Sequence, residues 1–368
     1  MLVVADDATG ALEAGAILAR PGEPSPVYLD AEDLHPAQGV RVVLLPTRHD
    51  TAPAARQRVE TAFAQFAALP GADATRLYWK TDSTLRGPIA ACFAALRIVF
   101  PHRPIVYIPA YPALGRTVRD GILLVDQIPV TETAFAGDAR SPVIDARVTT
   151  AAGADIGLPV HSVSDASELA AWLQPAAQAS PTAGIAVCDA ETEPQVTALV
   201  AACLEAQQRG YCSPIVAGPA GGVRPWCGQH LPLAPQSALL HPIKRWLVLC
   251  GSRHPVSIAQ AEAARASGFD VLAMPEMLVD NPESELCRIA QQAASASADG
   301  ILIFGGDTAL TLWRTMGLRS VNALGELLPG VALSRAAGLT FVTKAGGFGP
   351  PDLAAHILRI FESAKGTA

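Results

Sequence analysis

Clustered basic residues are what this chain lacks most clearly. Of its 368 residues 17% are charged, and 27 Lys and Arg stand against 34 Asp and Glu for a formal net charge of -7. Nucleic-acid backbones are held by grouped Lys and Arg, and no such block occurs, so no nucleic-acid partner is expected. Nor does any apolar run approach the roughly 20 residues of a membrane-spanning helix, so no membrane partner is expected. Residues Leu2 to Ala5 are apolar, but Asp6 and Asp7 break the run and no basic segment precedes it, so it reads as a strand and not as a secretory signal. The seven cysteines form no C-x-x-C pair, and the eight histidines stand apart from one another. Neither set has zinc spacing, and reduced thiols in a cytoplasmic protein are the expectation. Also missing are the dinucleotide fingerprint G-x-G-x-x-G, the Walker loop, internal repeats and low-complexity tracts.

What is present points to two cores. Half of the residues are hydrophobic, and 368 residues exceed what one core usually serves. The stretch 226–242, rich in Pro, Gln and His and without a period, marks a boundary between a domain at 1–230 and another at 243–368. Apolar runs at 2–5, 40–45, 76–79 and 105–109 alternate with helical patterns near 53–68 and 88–99. Past the boundary, strands at 246–250, 271–274 and 301–304 alternate with helices near 255–267 and 282–298, and 330–336 pairs with 339–344 about Gly338. The alternation predicts an α/β fold in which each domain is a mainly parallel sheet flanked by helices. A hairpin is expected across Asp126-Gln127, although Gln127 is a poor turn residue.

Polar residues gather where these strands end. Residues 80–87 read Lys-Thr-Asp-Ser-Thr-Leu-Arg-Gly and join a strand to a helix whose first turn suits Pro88. That density of cations, carboxylate and hydroxyls fits an oxygen-rich anionic ligand; a wet turn in which Asp82 or Ser83 caps the helix is the plainer alternative. Asp6 and Asp7 end the first strand and Arg48 follows the second, at the carboxyl ends where open parallel sheets collect ligands. Thr9 is placed to cap the next helix, and Arg116 and Arg119 sit in a loop that suits the wall of an anion site. Lys80 and Arg86 flank Asp82 and hold its pKa low, which suits anchoring more than proton transfer. Repulsion between Asp6 and Asp7 makes one of them the better base; Asp7 is favoured, with Asp6 turned toward metal or the helix start. In the second half Gly251-Ser252-Arg253-His254, Gly305-Gly306-Asp307-Thr308 and Lys344-Ala345-Gly346-Gly347-Phe348-Gly349 each follow a strand. Glycines there let backbone amides approach phosphate, so the last two loops point to a nucleotide. For 346–349 the alternative is a turn that needs positive φ, and the glycines at 218–222 read as a structural turn.

Taken together, segments 5–11, 80–87, 115–121, 251–252, 305–308 and 344–349 resemble, in order and nearly end to end, the four-carbon acid sugar kinase family. The resemblance implies ATP-dependent phosphorylation of a small-molecule sugar acid of the threonate, erythronate or 3-oxo-tetronate class, with Mg²⁺. By it, Asp6, Asp7, Arg48, Lys80, Asp82, Ser83, Thr84 and Arg86 belong to the acid-sugar side of the N-terminal domain, with Asp7 and Asp82 as catalytic candidates. Ser252, Gly305, Gly306, Asp307, Thr308, Gly346 and Gly347 belong to the ATP side of the C-terminal domain, and no residue is assigned to metal. Ala8 stands where the family has a bulky apolar residue, Arg253-His254 replace small residues, and the chain is short for the family. A homodimer is left open. Two rival functions are a non-catalytic sugar-acid sensor with a nucleotide site damaged at Arg253-His254 and a sugar-acid dehydrogenase, the latter disfavoured by the missing fingerprint.

Overall fold

Short apolar runs become strands because β-branched and aromatic side chains fill the faces of a sheet that helices cover on both sides. The structure is a computed structural model that describes residues 1–20, 22–36, 39–138, 140–174, 184–228, 240, 243–275, 281–345, 347 and 349–363. Chain order runs β1 (Leu2–Ala5), α1 (Ala8–Leu18), β2 (Ser25–Tyr28), β3 (Arg41–Leu44), α2 (Ala52–Ala67), β4 (Leu77–Lys80), α3 (Ile89–Val99) and β5 (Ile105–Tyr107). A small antiparallel sheet follows, of β6 (Arg116–Arg119), β7 (Ile122–Val125) and β8 (Ile128–Pro129). Then come α4 (Val148–Ala151), β9 (Val160–Val163), α5 (Ala166–Trp172), β10 (Ile185–Cys188), α6 (Glu193–Gln208), β11 (Ile215–Gly218) and α7 (Val223–Trp226). The rest comprises β12 (Trp246–Cys250), α8 (Pro255–Ala266), β13 (Asp270–Ala273), α9 (Pro282–Ala294) and β14 (Gly300–Phe304). After these stand α10 (Gly306–Thr315), β15 (Ser320–Leu328), β16 (Val331–Ala336), β17 (Leu339–Lys344) and α11 (Leu353–Ser363).

The chain packs as two compact units that are not consecutive in sequence. One comprises Met1–Asp6 and Asp30–Leu231, the other Asp7–Leu29 and Pro232–Ala368. In the first unit β3, β1, β4, β11, β5, β10 and β9 lie side by side in that order, every neighbouring pair parallel. All residues of β1, β4, β10 and β11 are buried, as a doubly covered parallel sheet requires. Its aromatic core joins Phe63 and Phe66 of α2 to Phe100, with ring centroids 6.0 and 5.8 Å from Phe63 in edge-on contact. Each such pair adds about 0.5–1.5 kcal/mol beyond burial. The β7–β8 turn puts Asp126 at φ 51 and Gln127 at φ 68, the left-handed pair of a tight hairpin that Gln127 adopts despite its preference.

The second unit has a mixed sheet. β13, β12, β14 and β17 are parallel neighbours, and β16, β15 and β2 extend them antiparallel. Val248, Leu302, Phe304 and Val342 from the strands meet Leu353, Ile357 and Phe361 of α11 in its core. The sequence boundary places 1–230 together, whereas packing puts α1 and β2 in the C-terminal unit. The reason is local: α1 is apolar almost all round, and a Cβ on its Gly15 would lie 2.6 Å from Val27 Cγ2 and 3.0 Å from Ala323 Cβ, so β2 and β15 close directly on it. The α/β expectation therefore holds, with antiparallel strands added in the second unit. Among the described residues no helix is long and apolar enough to cross a membrane.

Candidate active site

In the first unit the loop after β4 folds around one carboxylate. Asp82 Oδ1 accepts from Thr84 N at 2.8 Å, Arg86 Nε at 3.2 Å, Arg86 N at 3.3 Å and the Thr84 hydroxyl. Its Oδ2 faces Arg86 Nη2 at 2.7 Å and Arg48 Nη1 at 3.5 Å. Burial alone would raise the pKa of Asp82, but the Arg86 and Arg48 guanidiniums and these hydrogen bonds hold it well below the usual carboxylate range. Arg48 donates to Asp6 with both Nη2 (2.7 Å) and Nε (3.2 Å), the fork geometry that suits guanidinium. Arg86 reaches on to Asp138, 3.0 Å away, and its guanidinium lies 5.3 Å from the Phe135 ring centre. Lys80, buried at the end of β4, donates to Thr81 O at 2.9 Å. Ser83 is half-buried in the same loop.

The loop holds this shape at a cost. Leu85 takes φ 63, a left-handed conformation worth roughly 1–2 kcal/mol against a non-glycine residue. Gly87, at φ 93, lies so near Arg48 that a Cβ would sit 3.1 Å from Arg48 O. Neither Asp82 nor Ser83 caps α3; Pro88 is the residue before it, with no side-chain cap. Arg116 and Arg119 form no open anion wall, since Arg116 is buried and donates to Leu114 O while exposed Arg119 pairs with Glu191. The glycines at 218–222 serve packing, as expected: Tyr78 donates to Pro219 O at 2.6 Å, and a Cβ on Gly222 would lie 2.5 Å from the same hydroxyl.

The second unit presents backbone where the first presents charges. Gly305, at φ 105, opens α10 with no side-chain cap, so the N–H groups of the first turn, Gly306, Asp307 and Thr308, have no intrahelical acceptor. Thr308 turns its hydroxyl back onto Phe304 O at 3.0 Å, and Asp307 is half-buried. Ser252 follows β12, and its Oγ accepts from His254 N at 3.3 Å. Beside it a cavity of about 310 Å³ is lined by Cys250, Ser252, Arg253, Ile258, Met274 and Pro275, among others. His254 caps α8 through Nδ1, which accepts from Val256 N at 3.2 Å. Gly347 lies against that imidazole, where a Cβ would sit 3.2 Å from Nε2. Gly346 and Phe348 lie outside the described residues. Lys344, beside this turn in sequence, points into the core: it is fully buried, with Nζ 2.9 Å from Ser257 Oγ and 4.7 Å from the Phe304 ring centre.

The aspartate doublet is divided between the units. Asp6 belongs to the first and is held by Arg48. Asp7 belongs to the second and caps α1, its Oδ1 accepting from Gly10 N at 2.9 Å. Thr9 does not cap the helix; it donates to Asp7 Oδ2. Thus Asp7, and not Asp6, turns to the helix start, because α1 begins at Ala8 and leaves Asp7 as the extended residue before it. A Cβ on Gly306 would lie 2.7 Å from Asp7 Oδ2 and 2.9 Å from Thr9 Oγ1, so glycine at 306 makes room for the doublet's second carboxylate. Missed in the sequence were Phe135 and Asp138 around Arg86, and Met274 and Pro275 in the cavity; their segments carry no motif.

Comparison with known proteins bears on both halves. The family model for a sugar-binding N-terminal domain matches residues 1–225. A D-threonate kinase of Salmonella typhimurium is 31% identical over 80% of this chain and 68% of its own. The chain belongs to the four-carbon acid sugar kinase family. Consistent with membership, the model for a nucleotide-binding C-terminal domain matches residues 280–354. A D-threonate kinase of Bordetella bronchiseptica is 29% identical over 95% of each chain. The crystal structure of a Haemophilus influenzae protein, 20% identical and covering 100% of this chain and 99% of its own, shares the fold with a TM-score of 0.67. As a four-carbon acid sugar kinase the chain is a phosphotransferase acting on a hydroxyl group.

Proposed function

We propose that the chain transfers the terminal phosphoryl group of ATP to a hydroxyl of a four-carbon sugar acid, with Mg²⁺, in the cytoplasm. The observation that carries this is the glycine-led start of α10, which has no side-chain cap, in the same unit as a cavity of about 310 Å³, a volume that suits a small ligand. Ser252, Gly305, Gly306, Asp307, Thr308, Gly346 and Gly347 form the ATP side in this reading. Phosphoryl transfer asks the protein mainly for positioning and charge neutralisation. Mg²⁺ takes one or two carboxylates together with phosphate oxygens. Half-buried Asp307, in the first turn of α10, fits that demand, and the ion when bound neutralises phosphate charge.

On the acid side, Arg48 and Arg86 face carboxylates, and Lys80 is buried at the end of β4 at the head of the same loop. As the resemblance implies, Lys80 is assigned to the substrate carboxylate, with Arg48 and Arg86 framing it. Asp82, fixed as an anion by its partners, anchors hydroxyls together with Ser83 and Thr84, and Asp6 holds Arg48 in place. Asp7, beside Gly306 and the helix that would hold the phosphates, takes or orients the proton of the acceptor hydroxyl. Incubating the protein with ATP, Mg²⁺ and a panel of four-carbon acids tests the assignment. ADP should form with at least one acid. Binding without ADP would make the chain a sensor, and a response to nicotinamide cofactor alone would make it a dehydrogenase.

A further inference from the structure

Helix α8 carries a seam that ties together the loops assigned to ATP. His254, Ser257 and Gln260 are spaced by three, which sets them along one side of the helix start. All three meet the end of β17 or the turn after it. Lys344 Nζ donates to Ser257 Oγ at 2.9 Å, Gln260 Nε2 donates to Gly349 O at 3.0 Å and to Pro350 O at 2.8 Å, and the His254 ring lies against Gly347. The same helix start carries Ser252 through its hydrogen bond from His254 N. A glycine-rich turn loses much backbone freedom on ordering, so it needs such anchors to hold its amides at one spacing.

The innermost anchor is chemically expensive. Lys344 and Ser257 are both wholly buried, and Lys344 lies over the Phe304 ring with Cys250 nearby. Methionine would fill a similar volume without the cost of taking an ammonium out of water, so stability alone does not account for lysine here. We infer that Lys344 and Ser257 are positioning residues for the nucleotide, a buried lock that fixes the Ser252 loop against the Gly347 turn. The inference rests on the ATP assignment above. Lys344 acts through Ser257 and not by touching phosphate.

The whole protein is assayed with ATP, Mg²⁺ and the acid substrate, comparing Lys344→Met, Ser257→Ala and the double variant. Each single change should raise KM for ATP about tenfold, the scale of a sub-ångström misplacement of binding groups. The double variant should add nothing further, as expected for two ends of one contact. kcat at saturating ATP and KM for the acid should stay within about twofold. A role in folding alone would lower Tm and leave KM for ATP unmoved. Should Lys344→Met fail to fold, Ser257→Ala, which only deletes a hydroxyl, decides by calorimetry with ADP. Unchanged ATP and ADP affinity in folded variants, or fully additive losses, overturns the lock while leaving the kinase assignment standing. Absence of adenine-nucleotide binding by the unaltered protein overturns both.

Discussion

Two loops occupy the same place in their respective units and are built from opposite materials. The loop 80–87 and the loop 305–306 each leave a buried parallel strand, β4 or β14, and lead into a helix, α3 or α10. In the first, side chains satisfy one another: Arg48 and Arg86 pair with Asp6, Asp82 and Asp138. In the second, the helix opens on a glycine with no side-chain cap, Thr308 turns its hydroxyl onto Phe304 O, and Lys344 points into the core. On the assignment proposed above, the contrast is one of ligands: a small polyhydroxylated acid is met by a charge lattice that carries its own counterions. A phosphate chain, whose charge is dense and whose shape is constant, is met on the same assignment by amides that need no counterion of their own.

The largest effect should come from breaking the lattice. Asp82→Asn leaves the buried guanidinium of Arg48 and the half-buried one of Arg86 without their shared anion and should cost about 3–5 kcal/mol of stability, read as a lower denaturation midpoint, with KM for the acid raised. ADP affinity should not change. A variant as stable as the parent would show that the lattice is not self-compensating. Because the folded-state pKa of Asp82 lies below its unfolded value, its contribution is present above the unfolded carboxylate range and is lost as pH falls through the folded value.

Next in size is Asp7→Asn. Asparagine caps helices as well as aspartate, so α1 should survive while kcat falls about 100-fold or more with little change in substrate affinity. If Asp82→Asn lowers kcat and Asp7→Asn changes only KM, the base is Asp82.

The smallest effect sharpens the contrast between a paired and a hidden cation. Burial holds Lys344 down to about 7 from 10.5, with Cys250 acting in the opposite direction. Between those values the unfolded chain keeps a proton that the folded chain has released, so stability should rise with pH from about 7 to about 10.5. Below that window the penalty of the buried charge is fully present. Urea midpoints for parent and Lys344→Met should converge as pH rises from 7 to about 9; a constant difference would mean that Lys344 stays charged.

Much of this was legible in the sequence because apolar runs and helical periods report burial directly. The strands leading into 80–87, 251–254 and 305–308 all stand where their apolar runs place them. The strands β2 and β15 were not legible: β2 contains Pro26, and β15 carries Asn322, Gly325 and a buried Glu326 whose Oε1 accepts from Gly330 N at 3.0 Å. Pairing between them satisfies what looks locally like loop chemistry. Composition predicted that Asp82 sits among cations, yet it could not reveal that Arg86 is shared with Asp138, 52 residues away in sequence. The place of Lys344 was not legible for a simpler reason: only tertiary packing brings Ser257, 87 residues away in sequence, to its Nζ.

The packing of α1 and β2 in the C-terminal unit also sets a timetable for synthesis. Both leave the ribosome well before β15, since Ser25 pairs with Ala323 and Val27 with Val321. At about 5–20 residues per second the wait is roughly 15–60 s. Through that time α1 keeps Leu12, Ile17 and Leu18, buried in the finished protein, uncovered. A fragment ending at the sequence boundary would make the wait permanent, so limited solubility is expected of a fragment 1–231 unless residues 7–29 are replaced with a polar linker.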